Sequence, residues 1–333
     1  MKHFQAKEKP IGYGIAGFGR FAGNRIVPAV QHLTGSNIVA LQKRSSNAAA
    51  ASAEEYGIPR GYGSFEEMLR DPQVEAVYVT SANFLHEEQA IAAALTGKHV
   101  LCEKPMASNP EACLRIIDSC MQAGVKLMVA HNLRFSEPVK RIKSWIEEGV
   151  LGDIVSARME FTFMGSQSPR SWIFDPDIAG GGALMDLGVH CIDTFRYLLG
   201  EIDEIQALLK PSSISPRIET TASLNLKFQC GAIGTVFCSY EAPYWNCLEI
   251  LGSHGRAYIE LFTVADSETS LRLCTSQSDE IFSLNVGNTH GELITSFSQS
   301  VRHDTPIAIP GEEGLRNQEI IDRAYRQRIN LTI

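Results

Sequence analysis

The sequence predicts an α/β protein in two parts, a doubly wound parallel sheet followed by an α+β part with an open, mostly antiparallel sheet. Three observations predict this fold class. Up to about residue 130, short apolar strands alternate with helical segments of about 10–15 residues, which is typical of parallel sheets. A glycine-rich turn follows the first strand. After about residue 150, apolar and polar residues alternate with period two, as in half-buried strands.

The N-terminal part is predicted to cover residues 10–131. Its predicted strands are residues 11–16, 38–41, 74–80, 99–103 and 126–130. Its predicted helices lie around residues 26–33 and at residues 47–56, 65–70, 86–96 and 110–123. Gly97 and Gly124 follow the last two helices, where glycine readily adopts the left-handed conformation that ends a helix.

The C-terminal part is predicted to cover residues 132–333. Its predicted strands are residues 155–163, 222–229, 232–239, 248–251 and 257–261. Its predicted helices are residues 183–199, 292–301 and 314–328. The change from helix-and-strand alternation to period-two strands falls between residues 132 and 150, so we expect the boundary between the parts there.

Composition excludes several classes of protein. A chain of 333 residues with 44% hydrophobic and 20% charged residues is ordinary for about two globular domains. The formal net charge of −8 without a basic cluster argues against nucleic acid as a partner. No apolar run reaches the ~18 residues of a membrane span, and the N-terminus lacks a secretory apolar region. The eight cysteines contain no C-x-x-C pair, which favours free thiols in the cytoplasm and no structural metal.

The glycine-rich turn predicts a dinucleotide-binding Rossmann domain. Residues 17–22, GFGRFA, fit the pattern G-x-G-x-x-G/A directly after a strand and before a helix. The first glycine permits the tight turn, and the second lets the backbone approach a diphosphate at the positive end of a helix. The alternative is a structural turn that binds no ligand. The predicted cofactor contacts in this turn are Gly17, Phe18, Gly19, Arg20 and Phe21.

Charged residues after the second strand predict which dinucleotide binds. An NAD site usually has an Asp or Glu there for the ribose 2′-hydroxyl, whereas this chain has Gln42 followed by Lys43, Arg44 and Ser45. Cations and a hydroxyl suit a 2′-phosphate through charge-assisted hydrogen bonds. We therefore expect NADP(H) to be preferred, with NAD(H) as the alternative cofactor. The other interpretation is a solvated basic turn.

Two further segments contain candidate catalytic residues. Lys104 follows an apolar strand within Glu103-Lys104-Pro105, at the carboxyl edge of the sheet where such sheets bind ligands. Residues 180–182 are three glycines, which we expect to let the backbone approach a ligand closely. The helix after them has Asp186 and His190 at i and i+4, on one face. A structural Asp–His pair is the alternative, and no third ligand supports a metal site.

These segments together resemble the Gfo/Idh/MocA family of oxidoreductases over about residues 10–330. The resemblance rests on the glycine turn, residues 83–86 (NFLH), 103–105 (EKP), 132–135 (NLRF) and 180–200. It is locally similar to 1,5-anhydrofructose reductases and NADP-linked sugar dehydrogenases. One departure is that many members have Trp-Arg where this chain has Trp172-Ile173, with Arg170 as a partial replacement.

The resemblance implies roles for individual residues. The catalytic group would be Lys104, Asp186 and His190. Beyond the turn and the basic residues, cofactor contacts would be Thr80, Ser81, Asn83, His86, Glu103, Lys104 and Asn132. Substrate contacts would be Lys104, Arg134, Trp172, Asp186 and His190. We also expect a homodimer or homotetramer through the C-terminal sheet, because no predicted helix covers the polar face with Arg158, Glu160, Thr162, Asn225, Lys227 and Gln229.

The implied reaction moves a hydride between nicotinamide and a carbon of a sugar, anhydro sugar or polyol. A proton must then move at the oxygen, and His190, with an ordinary pKa of about 6.5, is the predicted acid/base. Lys104 would stabilise the developing oxyanion, or alternatively carry the proton itself. Asp186 would orient the substrate hydroxyls. Two other functions stay open: an NAD-dependent glycosidase with permanently bound cofactor, and a non-catalytic dinucleotide-sensing regulator.

Overall fold

The structure, a computed structural model, describes residues 9–213, 215, 217–327 and 329–330. The chain divides into two compact units. Unit 1 contains Met1–Glu103, Leu114–Ala130 and His290–Gly311, as far as these are described. Unit 2 contains Lys104–Cys113, His131–Thr289 and Glu312–Ile333, with the same restriction. Unlike a single boundary after residue 131, this division places residues 104–113 in unit 2 and residues 290–311 in unit 1. Residue 328 of the predicted last helix lies outside the described residues.

The secondary structure follows the predicted order. Sheet 1 contains β1 (Ile11–Ala16), β2 (Ser36–Gln42), β3 (Arg60–Tyr62), β4 (Ala76–Val79), β5 (His99–Cys102) and β6 (Leu127–Val129). Sheet 2 contains β7 (Ile154–Met164), β8 (Ile202–Pro211), β9 (Glu219–Phe228), β10 (Ile233–Ser239), β11 (Glu241–Gly252), β12 (Gly255–Glu260), β13 (Glu268–Thr275), β14 (Asp279–Asn285) and β15 (Ile329–Asn330). The helices are α1 (Val27–Val30), α2 (Ser46–Tyr56), α3 (Phe65–Leu69), α4 (His86–Leu95), α5 (Pro110–Gln122), α6 (Glu137–Glu147), α7 (Pro176–Ala179), α8 (Val189–Leu199), α9 (Thr289–His303) and α10 (Gly311–Arg326). In the part of the chain that the structure describes, none of them is long and apolar enough to cross a bilayer.

Sheet 1 is parallel throughout, which confirms the predicted doubly wound fold. Its strand order is β3-β2-β1-β4-β5-β6. The chain runs outward from β1 to one edge and then returns to β4 on the other side of β1. The carboxyl ends of β1 and β4 therefore form the switch point at which such sheets bind ligands. All six residues of β1 are buried, as expected for a central strand covered on both faces.

Helix α9 explains why part of the C-terminal sequence belongs to unit 1. The Tyr13 hydroxyl of β1 lies 2.7 Å from Ser298 Oγ of α9, and Ser36 Oγ of β2 lies at the same distance from Ser298. Pro310 forms an isolated bridge with Met128 of β6. The contact between Tyr13 and Ser298 joins residues 285 positions apart, so periodicity within the sequence could not reveal it.

Sheet 2 has the order β14-β13-β12-β11-β7-β10-β9-β8-β15 and is antiparallel except where β7 pairs with β10 and β8 with β15. This confirms the predicted mostly antiparallel sheet. Helix α8 packs on one face, where Phe195 and Phe228 meet edge to face at 5.8 Å. Thr162 was predicted to lie on the uncovered polar face of this sheet, and this prediction is wrong because the residue is buried. Its hydroxyl donates to the Pro243 carbonyl at 2.7 Å, where β11 changes register.

Several elements were not predicted from the sequence. Helix α6 lies in the stretch where only a boundary was expected, and β8, β13 and β14 were not identified. In β8 the residues Ile205, Ala207 and Leu209 are buried and alternate with exposed residues. That alternation was a usable period-two signal.

Candidate active site

The glycine turn in unit 1 is held by the end of β2. Gly17 has a positive φ of 70°, and a methyl group on it would come within 2.5 Å of Ser81. Its N–H donates to Gln42 Oε1 at 3.2 Å, and the next N–H donates to the Gln42 carbonyl at 2.9 Å. At Gly19, a methyl group would meet no described atom within 4 Å except the Gly17 carbonyl oxygen, 3.8 Å away. The first glycine is therefore required by the protein itself, whereas the second faces space that a ligand oxygen can enter.

The predicted basic residues differ in their surroundings. Lys43 Nζ donates to Ser52 Oγ at 2.9 Å and lies 5.9 Å from the centre of the buried Phe18 ring. The Ser45 hydroxyl caps the N-terminus of α2. Of the two basic residues directly after β2, Lys43 is therefore bound within the protein, whereas Arg44 is exposed.

The predicted residues after β4 are tied to the sheet and to α4. Thr80 Oγ1 donates to the last carbonyl of β1 at 2.9 Å, and Ser81 Oγ donates to Gln89 Oε1 at 2.7 Å. His86 is buried, and its Nε2 lies 3.0 Å from the Ser81 carbonyl oxygen. Asn83 is also buried. The structure thus brings these four residues to the switch point together with the glycine turn.

The remaining predicted cofactor residues lie at three places. Arg20 and Phe21 are exposed on the glycine turn. Glu103 is buried at the end of β5 and accepts a hydrogen bond of 2.6 Å from the Tyr78 hydroxyl. Asn132 belongs to unit 2, where its Nδ2 donates to Thr289 Oγ1 at 3.0 Å.

In unit 2, Asp186 is the centre of a charged cluster. Lys104 Nζ donates to both the carbonyl oxygen and Oδ1 of Asp186, each at 3.0 Å. Arg170 donates from Nη1 to Oδ1 at 3.3 Å and from Nη2 to Oδ2 at 2.9 Å. The Tyr240 hydroxyl donates to Oδ2 at 3.2 Å. Burial alone would raise the pKa of Asp186, but Arg170 and Lys104 hold it well below its usual range. Asp186 is therefore ionised at neutral pH.

The sequence predicts a regular α-helix around Asp186, but the structure differs there. Residues Leu184–Gly188 form a π-helical turn, in which the Val189 N–H donates to the Leu184 carbonyl. The widened turn presents the Asp186 carbonyl oxygen to Lys104. Such turns occur frequently at functional sites.

Two of the three glycines before this turn have protein atoms where a side chain would lie, which explains these glycines without a ligand. A methyl group on Gly181 would lie 2.3 Å from the Tyr325 hydroxyl, and one on Gly182 would lie 1.8 Å from the Glu219 carbonyl oxygen. The buried Glu219 carboxylate accepts from the N–H groups of Gly182 and Leu184, at 3.1 and 2.9 Å. It also accepts from the Tyr325 hydroxyl at 2.9 Å. The glycines let β9 and α10 hold the start of the π-helical turn.

His190 lies beside this cluster as a neutral imidazole. Burial lowers its pKa well below the usual value, and the charge of Lys104 lowers it further. The ring lies 5.8 Å from the ring of Phe161. No residue in the described part of the chain forms a hydrogen bond with its ring nitrogens, so they are available to a bound molecule.

Two predicted substrate contacts have clear structural surroundings. Arg134 donates to both carboxylate oxygens of Asp193 on α8, at 3.0 and 2.7 Å, and to Glu313. Its donors are thus directed at the protein. Trp172 is half-buried with its ring centre 5.8 Å from the Arg170 guanidinium, and Ile173, the predicted departure from the family motif, is buried in the core of unit 2.

Sequence analysis did not identify His131, which belongs to the same buried network. Its Nε2 lies 3.0 Å from Asn317 Nδ2, an amide nitrogen that can only donate. His131 must therefore accept and stay neutral, with the proton on Nδ1. Burial lowers its pKa to about 4. Within residues 9–327, apart from the few left undescribed, no group of three or more His, Cys, Asp or Glu could hold a metal ion.

Comparison with known protein families gives two matches along the chain. A model of an oxidoreductase family with an NAD-binding Rossmann fold matches residues 11–131. A model of the GFO/IDH/MocA C-terminal domain matches residues 139–258. Together the two matches cover more than two thirds of the chain.

Individual relatives extend over nearly the whole length. The 1,5-anhydro-D-fructose reductase of Ensifer adhaerens is 29% identical over 308 residues, covering 91% of this chain and 92% of that protein. An uncharacterized oxidoreductase of Rhizobium meliloti is 30% identical over 330 residues, covering 95% and 96%.

Two solved structures are also similar. The aldose-aldose oxidoreductase from Caulobacter crescentus, complexed with glycerol, has a TM-score of 0.88 and 27% identity over 96% of this chain and 97% of that one. A 3-ketoreductase from Actinomadura kijaniata, in complex with TDP-benzene and NADP, has a TM-score of 0.86 and 25% identity over 98% and 100%.

The buried neutral His131 predicts how stability depends on pH. Its pKa is about 4 in the folded chain and about 6.5 when unfolded, so between these values the unfolded chain binds a proton that the folded chain does not. Stability should therefore fall as pH decreases through that window, by up to about 1.4 kcal/mol per pH unit for this group. His131→Asn should reduce the decrease in Tm between pH 6.5 and 4.5, measured by calorimetry. His254→Asn, at an exposed histidine, is the control, and an unchanged slope in His131→Asn would contradict the assignment.

Proposed function

This chain belongs to the Gfo/Idh/MocA family of NAD(P)-dependent oxidoreductases, and on that premise we propose that it interconverts a hydroxyl and a carbonyl group on a sugar, anhydro sugar or polyol. One observation carries the proposal: Lys104, Asp186 and His190 meet in unit 2, and the imidazole nitrogens have no partner among the described residues. The names of the relatives, a 1,5-anhydro-D-fructose reductase and an aldose-aldose oxidoreductase among them, support the substrate class.

Unit 1 has features that fit a nicotinamide dinucleotide. The backbone at Gly19 is open to a ligand oxygen, and Arg44 extends beyond β2. We assign Gly17 and Gly19 to the diphosphate and Arg44 to the 2′-phosphate. When bound, the dinucleotide supplies or accepts the hydride.

Unit 2 supplies the proton chemistry. In the oxidation direction, neutral His190 accepts the proton of the substrate hydroxyl, and in reduction it returns that proton to the same oxygen. Its lowered pKa keeps it unprotonated at neutral pH, as a base must be. Lys104 stabilises negative charge on the reacting oxygen. Asp186 fixes the Lys104 ammonium through two hydrogen bonds, one to its carboxylate and one to its carbonyl.

The cofactor preference follows from the end of β2. Gln42 stands where an NAD-specific site has a carboxylate, and its amide is bound to the glycine turn. No carboxylate there repels a 2′-phosphate, and Arg44 attracts it. We therefore propose NADP(H) as the preferred cofactor.

Arg44→Ala tests this preference. Loss of a charge-assisted hydrogen bond should weaken NADPH binding by about 10–100-fold and leave NADH binding nearly unchanged. Nicotinamide fluorescence titrations with both cofactors measure this, and Arg70→Ala, at another exposed arginine of unit 1, is the control. Wild-type protein that binds NADH as tightly as NADPH would refute the preference.

His190→Ala tests the proton transfer. We expect kcat to fall about 10²–10⁴-fold, the usual contribution of acid–base catalysis, with NADPH affinity unchanged. Lys104→Ala should be at least as damaging, and the double variant should lose far less than the product of the single losses. Net NADPH oxidation by sugars that have a carbonyl group, or net NADP⁺ reduction by sugars and polyols, is followed at 340 nm and separates an oxidoreductase from a glycosidase or a sensor. If His190→Ala keeps more than half of kcat while a deuteride isotope effect shows that chemistry limits the rate, Lys104 is the proton carrier.

We also propose that a second copy of the chain covers the face of sheet 2 opposite α8. Ile233 and Phe237 on β10 and Leu251 on β11 lie on this face with 50%, 39% and 42% of their surfaces exposed. An antiparallel sheet with apolar side chains on its open face is suited to pairing with another sheet.

Phe237→Asp tests this assembly. A buried charge should disfavour the homodimer or homotetramer, so the mass measured by light scattering should fall to that of one chain. Leu95→Asp, at an exposed leucine of α4, should leave the mass unchanged. A wild-type protein that is monomeric, or a Phe237→Asp protein with wild-type mass, would contradict the proposal.

A further inference from the structure

Arg170 belongs to the charged cluster around Asp186, and its guanidinium has hydrogen-bond donors that no described residue accepts. Its Nη1 and Nη2 each donate one hydrogen bond to Asp186, as described above. The rings of Phe163 and Trp172 lie 5.5 and 5.8 Å from the guanidinium carbon. The side chain nevertheless remains 39% exposed. Because aromatic rings lie against it and one edge faces Asp186, the guanidinium is held in a fixed orientation while the side chain stays partly accessible.

A count of hydrogen bonds shows how many donors are available. A guanidinium has five N–H groups, and two of them point to Asp186. In the described part of the chain, no other acceptor lies within hydrogen-bond distance of the Arg170 side chain. Three N–H groups therefore remain for a bound molecule.

Two less exposed arginines of unit 2 differ from Arg170 in this respect. Arg134 is bound by Asp193 and Glu313, and Arg196 is bound by Glu201, Glu313 and Asn317. Their side chains are at most 10% exposed. They serve as internal cross-links, whereas Arg170 has both a fixed orientation and unused donors.

We infer that Arg170 binds the substrate and selects one that has two vicinal oxygens next to the reacting carbon. Two N–H groups on one edge of a guanidinium are parallel, at a spacing that matches two neighbouring oxygen atoms. The substrates of the proposed function have hydroxyl oxygens next to the reacting carbon, and these can accept from the remaining donors. The inference rests on the proposed function, and it assigns to Arg170 the recognition of the oxygens next to the reacting carbon.

The test compares polyols with analogues that lack one hydroxyl. Binding of D-glucose, D-xylose and myo-inositol, and of their monodeoxy analogues, is measured by calorimetry on the full chain saturated with NADP⁺. In wild-type protein at least one polyol should bind about 10–100-fold more tightly than the analogue that lacks a contacted hydroxyl, the usual effect of a hydrogen bond to a charged group. In Arg170→Gln that ratio should fall towards one.

Two further variants make the result specific. Arg170→Lys keeps a cation beside Asp186 but loses the paired donors, so it should also lose the ratio even if Arg170→Gln does not fold. Arg217 pairs with Asp177 through the same two-bond geometry on the surface, at 3.1 Å for each bond. Arg217→Gln should keep the wild-type ratio.

Each result of these binding measurements either supports or refutes the assignment of Arg170 to the substrate. If Arg170→Gln and Arg170→Lys weaken a polyol and its deoxy analogues equally, Arg170 only holds Asp186, and the inference is refuted. It is also refuted if no polyol binds to the wild type, or if the wild type does not distinguish any analogue. Carbonyl-dependent NADPH oxidation in the same preparation would then leave the proposed function standing. Arg170-dependent polyol binding without any turnover would instead refute the proposed function alone.

Discussion

The carboxylate of Asp186 is the constraint on which the candidate site depends. A buried carboxylate is unfavourable unless cations and hydrogen-bond donors compensate it, and here Lys104, Arg170 and Tyr240 all do so. Two cations beside one anion leave a positive excess at the place where negative charge would develop on a substrate oxygen. Burial is the main cause that lowers the pKa of His190, and the charge of Lys104 lowers it further. The ion cluster thus sets the electrostatic field at the candidate site and contributes to keeping His190 neutral.

Two other buried carboxylates hold the segment that contains Asp186 and His190. Glu219 binds the backbone N–H groups at its start, and Asp193 joins α8 to Arg134. Each is compensated by several donors, so a displacement of the segment would leave a charge unpaired in the interior. The rigidity that catalysis requires therefore arises from anchors before and after the segment, and not from the propensity of its own residues for helix.

Much of this arrangement could be predicted from the sequence, because it depends on local pattern. Strand-and-helix alternation predicted sheet 1, period-two alternation predicted sheet 2, and the positive φ of Gly17 follows from its place in the turn. Lys104 and Asp186 were predicted to act together although 82 residues separate them, since the family resemblance linked their motifs. Tyr240 and Glu219 were not predicted. Glu219 is the first residue of β9 and Tyr240 directly follows β10, and isolated polar residues of this kind give no signal of their partners.

The side chain of Gln42 links two properties that are usually treated separately. Its amide oxygen accepts from the Gly17 N–H and its amide nitrogen donates to the Lys43 carbonyl, so one residue both closes the glycine turn and stands at the position that we propose discriminates between dinucleotides. A change towards an acidic residue would alter charge and turn together. On the proposed function, evolution or engineering of cofactor use in this chain is therefore coupled to the stability of the glycine turn. A switch to NAD would require a compensating donor or acceptor elsewhere in the turn.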